Sequence, residues 1–317
     1  MEFIGTLING LSLGGVYAMI ALGYTMVYGI AKLLNFAHGD IIMVGGYILL
    51  VFVGLTGSPF VALLAAAIFC SLFGVFMEKA AYKPLRGASP LAVLITAIGV
   101  SYLLQSLAQI IFGSQTKFVS LFQNLGVIHI GSLTLEVVSL ITLAATVLVM
   151  VGLSLFIKFT KIGRAMVAVS EDRGAAELMG INVNNIITIT FAIGSFLAAF
   201  ASFFYLLRTP QITPTLGSMP GIKAFTAAVI GGVGSIPGAM AGGVLLGVIE
   251  AFTAKVSFLQ PYTTAIEFAI LIIILLVKPS GLLGKKRREK VWLKKLSIRF
   301  SLKQKLVRLN IRDSLIM

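Results

Sequence analysis

At 317 residues, with 58% hydrophobic and 11% charged residues and a mean hydropathy of +1.03, the chain departs from soluble domains, where about a quarter of residues are charged. A transmembrane barrel is excluded as well, because barrel strands alternate apolar and polar residues and this chain has long unbroken apolar runs. The net charge of +14 is concentrated at one end: residues 285–317 hold 12 basic and 2 acidic residues, leaving 13 basic against 9 acidic for the rest.

One crossing of the hydrocarbon layer takes roughly 20 apolar residues, so the length allows at most about ten. Apolar segments are expected near 4–28, 41–56, 59–78, 91–112, 135–157, 186–207, 222–235, 238–254 and 262–278, nine in all with two of them short. The first begins at Phe3, lacks a basic leader and outruns a signal peptide, so it reads as a retained helix. Basic residues orient the set: Lys32; Lys79, Lys83 and Arg86; Lys158, Lys161, Arg164 and Arg173; and the tail all belong on the cytoplasmic face. That places the N-terminus outside and gives an odd number of passages. Residues 1–284 form an expected transmembrane domain, and 285–317 an expected cytoplasmic tail lying on anionic lipid rather than on nucleic acid.

The stretch 222–254 is interrupted by Gly231, Gly232, Gly234, Pro237 and Gly238, which reads as two segments meeting at a cytoplasmic break or hinge; a re-entrant hairpin is the rival. Small residues at helix-packing spacing are Gly10 with Gly14, Gly238 with Gly242, and Gly243 with Gly247. The 158–185 loop is the most distinctive cytoplasmic element. Its residues 164–179 are rich in Ala, Met, Glu and Arg and predict one short surface helix stopped by Gly180, with Asn182, Asn184 and Asn185 capping the next span.

Reactive groups are sparse. His38 and His129 lie in different loops, no metal-ligand spacing occurs, and Asp40 beside His38 reads as a pair orienting a helix start. The lone Cys70 sits in an apolar run and reads as packing. No GxSxG or Walker A motif is present, so no catalytic residue, cofactor or metal is expected, and any ATP must be hydrolysed by another polypeptide. Ionisable and polar groups within spans carry the remaining information: Glu250 and Glu267, both expected in the outer part of their helices within reach of Lys223 or Lys255, and Ser101, Gln105 and Gln109 on one face of a helix. With Asn35 and His38 at a helix entrance, these either line a polar path or knit helices together. Thr188, Ser195 and Ser202 pose the same choice.

Four stretches carry a family resemblance: NGLSLGGVYAMIALGYTMVYGI (Asn9–Ile30), NFAHGD (Asn35–Asp40), EDRGAAELMGIN (Glu171–Asn182) and GIKAFTAAVIGGVGSIPGAMAGG (Gly221–Gly243). Together they resemble the LivH-type permease of branched-chain amino-acid ABC importers, over most of residues 5–280. The resemblance implies an all-α polytopic bundle of about 8–9 spans in the bacterial inner membrane. It also implies a second, related permease, two cytoplasmic ATPase subunits and an extracytoplasmic solute-binding protein as partners. In the EAA loop that such ATPases grip, Ala175, Ala176 and Gly180 match, while Gly174 stands where the family's Glu would be. Arg164, Glu171, Asp172 and Arg173 complete the expected coupling surface. Two other readings compete: the same architecture carrying urea or short amides, and an ion-coupled secondary transporter using Glu250 or Glu267.

Overall fold

The computed structural model describes residues 2–33, 35–122, 126–130 and 133–284; the expected basic tail lies outside the described residues. Eleven α-helices follow in chain order: α1 (Glu2–Ala31), α2 (His38–Thr56), α3 (Pro59–Met77), α4 (Pro90–Phe112), α5 (Val137–Phe159), α6 (Lys161–Glu171), α7 (Arg173–Leu178), α8 (Val183–Arg208), α9 (Ser218–Gly231), α10 (Ile236–Lys255) and α11 (Thr263–Val277). After α3 the chain continues through a π-turn (Glu78–Tyr82) and a 3-10 turn (Lys83–Leu85). A 3-10 turn (Gln260–Tyr262) leads into α11, and two small antiparallel ladders complete the described structure: β1 (Lys117–Phe118) pairs with β4 (Gln211–Ile212), and β2 (Val127–Ile130) with β3 (Leu133–Glu136). His129 falls in β2, paired with Thr134.

Among the described residues, eight helices are long and apolar enough to cross a bilayer, the last of them running from the 3-10 turn at Gln260 through α11 to Val277. The segment expected at 222–235, one of the two short ones, is α9, which begins four residues earlier and has 14 residues and a length of about 21 Å, short of the roughly 30 Å hydrocarbon layer. The expected single helix 164–179 is corrected. Asp172 takes an extended conformation, ends α6 and caps α7 by accepting from the Ala175 N–H, so an Asp side chain competing for backbone donors overrides the helix-forming composition. Of the three asparagines, Asn182 caps α8, and Asn184 instead accepts from Arg86.

α1 is the spine. It packs antiparallel on α10, with Gly10 against Val248, Gly14 against Val244 and Ala18 against Gly243. A side chain on Gly247 would overlap the Gly14 backbone, so the helices touch main chain to main chain. Residues 16–22 of α1 are almost wholly enclosed. This antiparallel seam also fixes which ends lie together. Gly29, near the end of α1, faces Gly234 before α10, and Phe3 meets Phe252 at the other end. Lys32 donates to the Ser170 carbonyl, Arg173 to the Ile30 carbonyl at 2.9 Å, and Arg86 to Asn184. The basic loops are therefore at one end, as the charge distribution requires of a cytoplasmic face. At the opposite end Arg208 lies within 3.4 Å of the Asn9 carbonyl and 3.3 Å of Ser12 Oγ.

The glycine seam predicts a contrast between two otherwise equal substitutions. Gly247→Leu should force α10 off α1 and lower the melting temperature of the purified protein sharply, or prevent its accumulation in the membrane. Gly54→Leu, at an exposed site with nothing within 4 Å of a new side chain, should leave both unchanged. Equal behaviour of the two variants would refute the seam.

Candidate functional site

Two helices of the bundle begin inside it. His38, the first residue of α2, packs between Gly23 of α1 and Gly194 of α8. Gly23 lies eight residues before the end of α1 and Gly194 eleven after the start of α8, so α2 starts about 12–16 Å in from the end that carries the basic loops. The first turn of α9 meets it there: a Cβ on Gly217 would overlap the Gly39 carbonyl, and one on Gly221 would come within 2.9 Å of Gly39 Cα. Only glycines permit this approach of backbone to backbone. NFAHGD and the segment before GIKAF are thus both chain breaks, and their helix N-termini converge at mid-depth, the arrangement in which discontinuous helices build solute sites.

Beside this crossing lies a cavity of about 260 Å³ between α2, α4 and α9. Asp40, Ser101, Gln105 and Ser218 give it a polar side, while Phe36, Ile98, Tyr102 and Ile222 give it an apolar one. The Gln105 amide nitrogen lies 2.9 Å from Asp40 Oδ1 and 3.2 Å from both Ser101 Oγ and Ser218 Oγ, tying the three helices together. α4 is otherwise loosely held, with Leu103, Leu107, Ile110 and Ile111 exposed.

The other expected path residues are distributed as follows. Ser101 and Gln105 line the cavity, whereas Gln109 is exposed one turn farther along α4. His38 is enclosed, its ring edge-on to Tyr24 at 4.8 Å, and Asn35 Oδ1 accepts from the Tyr82 hydroxyl at 2.6 Å; neither lines the cavity. Glu250 and Glu267 sit on the far side of α9 from this crossing, where Lys223 pairs with Glu250 at 2.8 Å and Glu267 at 3.3 Å. This triad joins α9, α10 and α11. The Thr188, Ser195 and Ser202 series knits helices: Thr188 donates to Glu78 and Ser202 to the Ile42 carbonyl, both at 2.8 Å, and Ser195 fills the notch at Gly74.

The break after α9 is compact. Gly232 and Gly234 have φ of +110° and +90°, Ser235 caps α10 by accepting from the Gly238 N–H, and Pro237 sits in its first turn. Gly231 and Gly238 abut, and the turn segment after α11 lies against the break, with Leu282 and Leu283 donating to the Ile230 and Gly231 carbonyls at 2.8 and 2.9 Å. On the adjacent loop Arg164, Glu171, Asp172 and Ala175 are exposed while Ala176 is buried. Arg173 is half-buried, and burial together with the nearby Arg86 holds its guanidinium below its ordinary pKa. Leu178 and Met179, 91% and 82% exposed, project just before Gly180, whose φ is +80°. Those two residues were legible in sequence only as the apolar end of a helix, because their exposure depends on where the turn falls. Asp40 was legible only as a helix-start residue.

The triad predicts a specific pattern of stability. Lys223→Met leaves the buried Glu267 and the half-buried Glu250 without a cation and should destabilise the detergent-purified protein by about 3–5 kcal/mol. The triple change Lys223→Met, Glu250→Gln and Glu267→Gln should recover most of that loss in thermal unfolding. A triple variant as unstable as the single one would contradict the assignment.

Residues 6–275 match the family described as "Branched-chain amino acid transport system / permease component". The chain is 44% identical over 303 residues to the high-affinity branched-chain amino acid transport system permease protein BraD of Pseudomonas aeruginosa, covering 92% of this chain and 98% of that one. It is 40% identical over 304 residues to the corresponding LivH of Escherichia coli K12, with the same coverage. At lower identity, 30% over 283 residues, it matches a probable LivH of Methanocaldococcus jannaschii, covering 84% of this chain and 88% of that one.

Proposed function

The chain belongs to the branched-chain amino acid transport permease family, and from that premise we propose that it forms half of the path by which branched-chain amino acids enter the cell. It is a membrane permease, not an enzyme, and its ATP is spent by separate subunits. The cargo assignment rests on near-full-length similarity to BraD and LivH. The half-helix crossing supports a path at the cavity of Asp40, Ser101, Gln105 and Ser218. Its α4 wall presents a broad exposed apolar face, which suits a second, related permease completing the path. An extracytoplasmic binding protein delivers cargo, so this chain has no need of high affinity.

Energy enters through α6, α7 and the turn at Gly180. Ala175 and Gly180 are exposed, and Leu178 and Met179 form an apolar knob suited to insertion into a pocket of the ATPase. Two direct links carry movement of this loop to the spine, Arg173 to the Ile30 carbonyl and Lys32 to the Ser170 carbonyl. The break at Gly231–Gly238 lies at the same end and is the hinge of the inward opening in this reading. Glu250 and Glu267 belong to a structural ion cluster here, since one lysine already holds both.

Leu178→Asp with Met179→Asp removes the knob without touching the bundle. The double variant should insert and fold normally yet lose ATPase copurification and at least about tenfold of leucine uptake. Gly180→Val, strained at positive φ, should do the same. Full copurification and uptake in both would rule out this docking surface.

A further inference from the structure

Charge balance inside the bundle singles out one residue. Among the described residues three carboxylates are buried: Asp40, Glu78 and Glu267. Glu78 has Arg86, and Glu267 shares Lys223 with the partly buried Glu250. Asp40 has no basic partner among the described residues, although it is only 2% exposed and lies at mid-depth of the membrane domain. Its neighbours donate hydrogen bonds rather than charge: Gln105 at 2.9 Å, Ser101, and the first turn of α2 in which it stands. Such donors orient a carboxylate and partly offset its burial, and a full cation completes it. The space for that cation is the cavity that Asp40 itself lines.

The shape of the cavity restricts what the cation can be. Polar groups sit on one side and Ile98, Tyr102 and Ile222 on the other, which suits a solute with a charged head and a branched apolar body rather than a bare metal ion. Ser218 and the N-terminal turn of α9, whose first residues carry no side-chain cap, lie beside Asp40 on the polar side, both within reach of the Gln105 amide nitrogen, and favour a negative group. The polar side therefore offers a place for each sign close together, as the head of a zwitterion requires.

We propose that Asp40 recognises the α-ammonium of the amino-acid cargo, with the α9 N-terminus at Ser218 receiving its α-carboxylate and the Ile98, Tyr102 and Ile222 wall accepting its side chain. The proposal rests on the cargo reading above and names the group that enforces it. Pairing is exchangeable because Gln105 and Ser101 hold the carboxylate when cargo leaves. Uncharged solutes such as urea or short amides lack the ammonium and gain nothing from Asp40, so the residue sets specificity within a path that has few other polar groups.

The test uses the complete transporter in proteoliposomes, supplied with leucine-loaded binding protein, and reads leucine accumulated per ATP hydrolysed. Asp40→Asn should lower that ratio by roughly 10- to 100-fold, the scale of one lost charge-assisted hydrogen bond. Asp40→Glu should restore part of it. An unchanged ratio in Asp40→Asn overturns the proposal while leaving the cargo reading intact. A wild-type complex that carries no leucine overturns both. Should Asp40→Asn fail to assemble, Ser101→Cys in a complex that keeps Asp40 gives an independent readout. Leucine delivered by the binding protein should slow its modification by a small methanethiosulfonate, and an unaltered rate refutes the site.

Discussion

A broken backbone inside a membrane must satisfy its own polar groups, and that requirement shapes everything at the centre of this protein. The chain breaks twice at mid-depth, before α2 and before α9, and the two breaks are placed against each other at Gly39, Gly217 and Gly221. Each break shields the other from lipid. The result is a point where two helix N-termini, a carboxylate and three neutral polar side chains share one small cavity, within a bundle whose other described cavities include a wholly apolar-lined one between α2, α3 and α4.

The glycine seam between α1 and α10 makes this centre possible. By letting main chains touch along α1, it turns that helix into a fixed axis against which α9 and α2 are positioned. The same helix ends in the carbonyls and lysine that hold the cytoplasmic loop, through Arg173 and Ser170. Loop and spine are thus directly linked. In the proposed reading, ATPase docking biases one end of this element and cargo the other, as a bistable transporter requires. The Lys223 triad ties α9 to α10 and α11 by ion pairs.

Much of this was legible in the sequence, and the exceptions have physical causes. Long apolar runs and basic loops define spans and sidedness because hydrocarbon thickness and surface charge act on local composition. The glycine pairs announced the seam, and the Ser101–Gln105 face was found from helical spacing. The short segment of α9 was visible, but its start at mid-depth against Gly39 was not, since hydropathy registers apolarity and not where a helix begins in space. The kink at Asp172 was hidden by strong helix formers on both sides. Asp40 was underrated for a deeper reason: a carboxylate next to a histidine looks like an ordinary cap, and its distinguishing property, lacking a cation that every other buried carboxylate among the described residues has, exists only in three dimensions.

The most direct test of the central claim, that the crossing of the two half-helices is where cargo passes, is a cryo-EM structure of the assembled importer trapped with leucine between its permease subunits. The account predicts leucine density within the cavity of Asp40, Gln105 and Ser218, closed on its open side by the partner permease packed along α4. Leucine resolved against another face of the bundle, with α4 turned to lipid and the Asp40 cavity sealed, would contradict it.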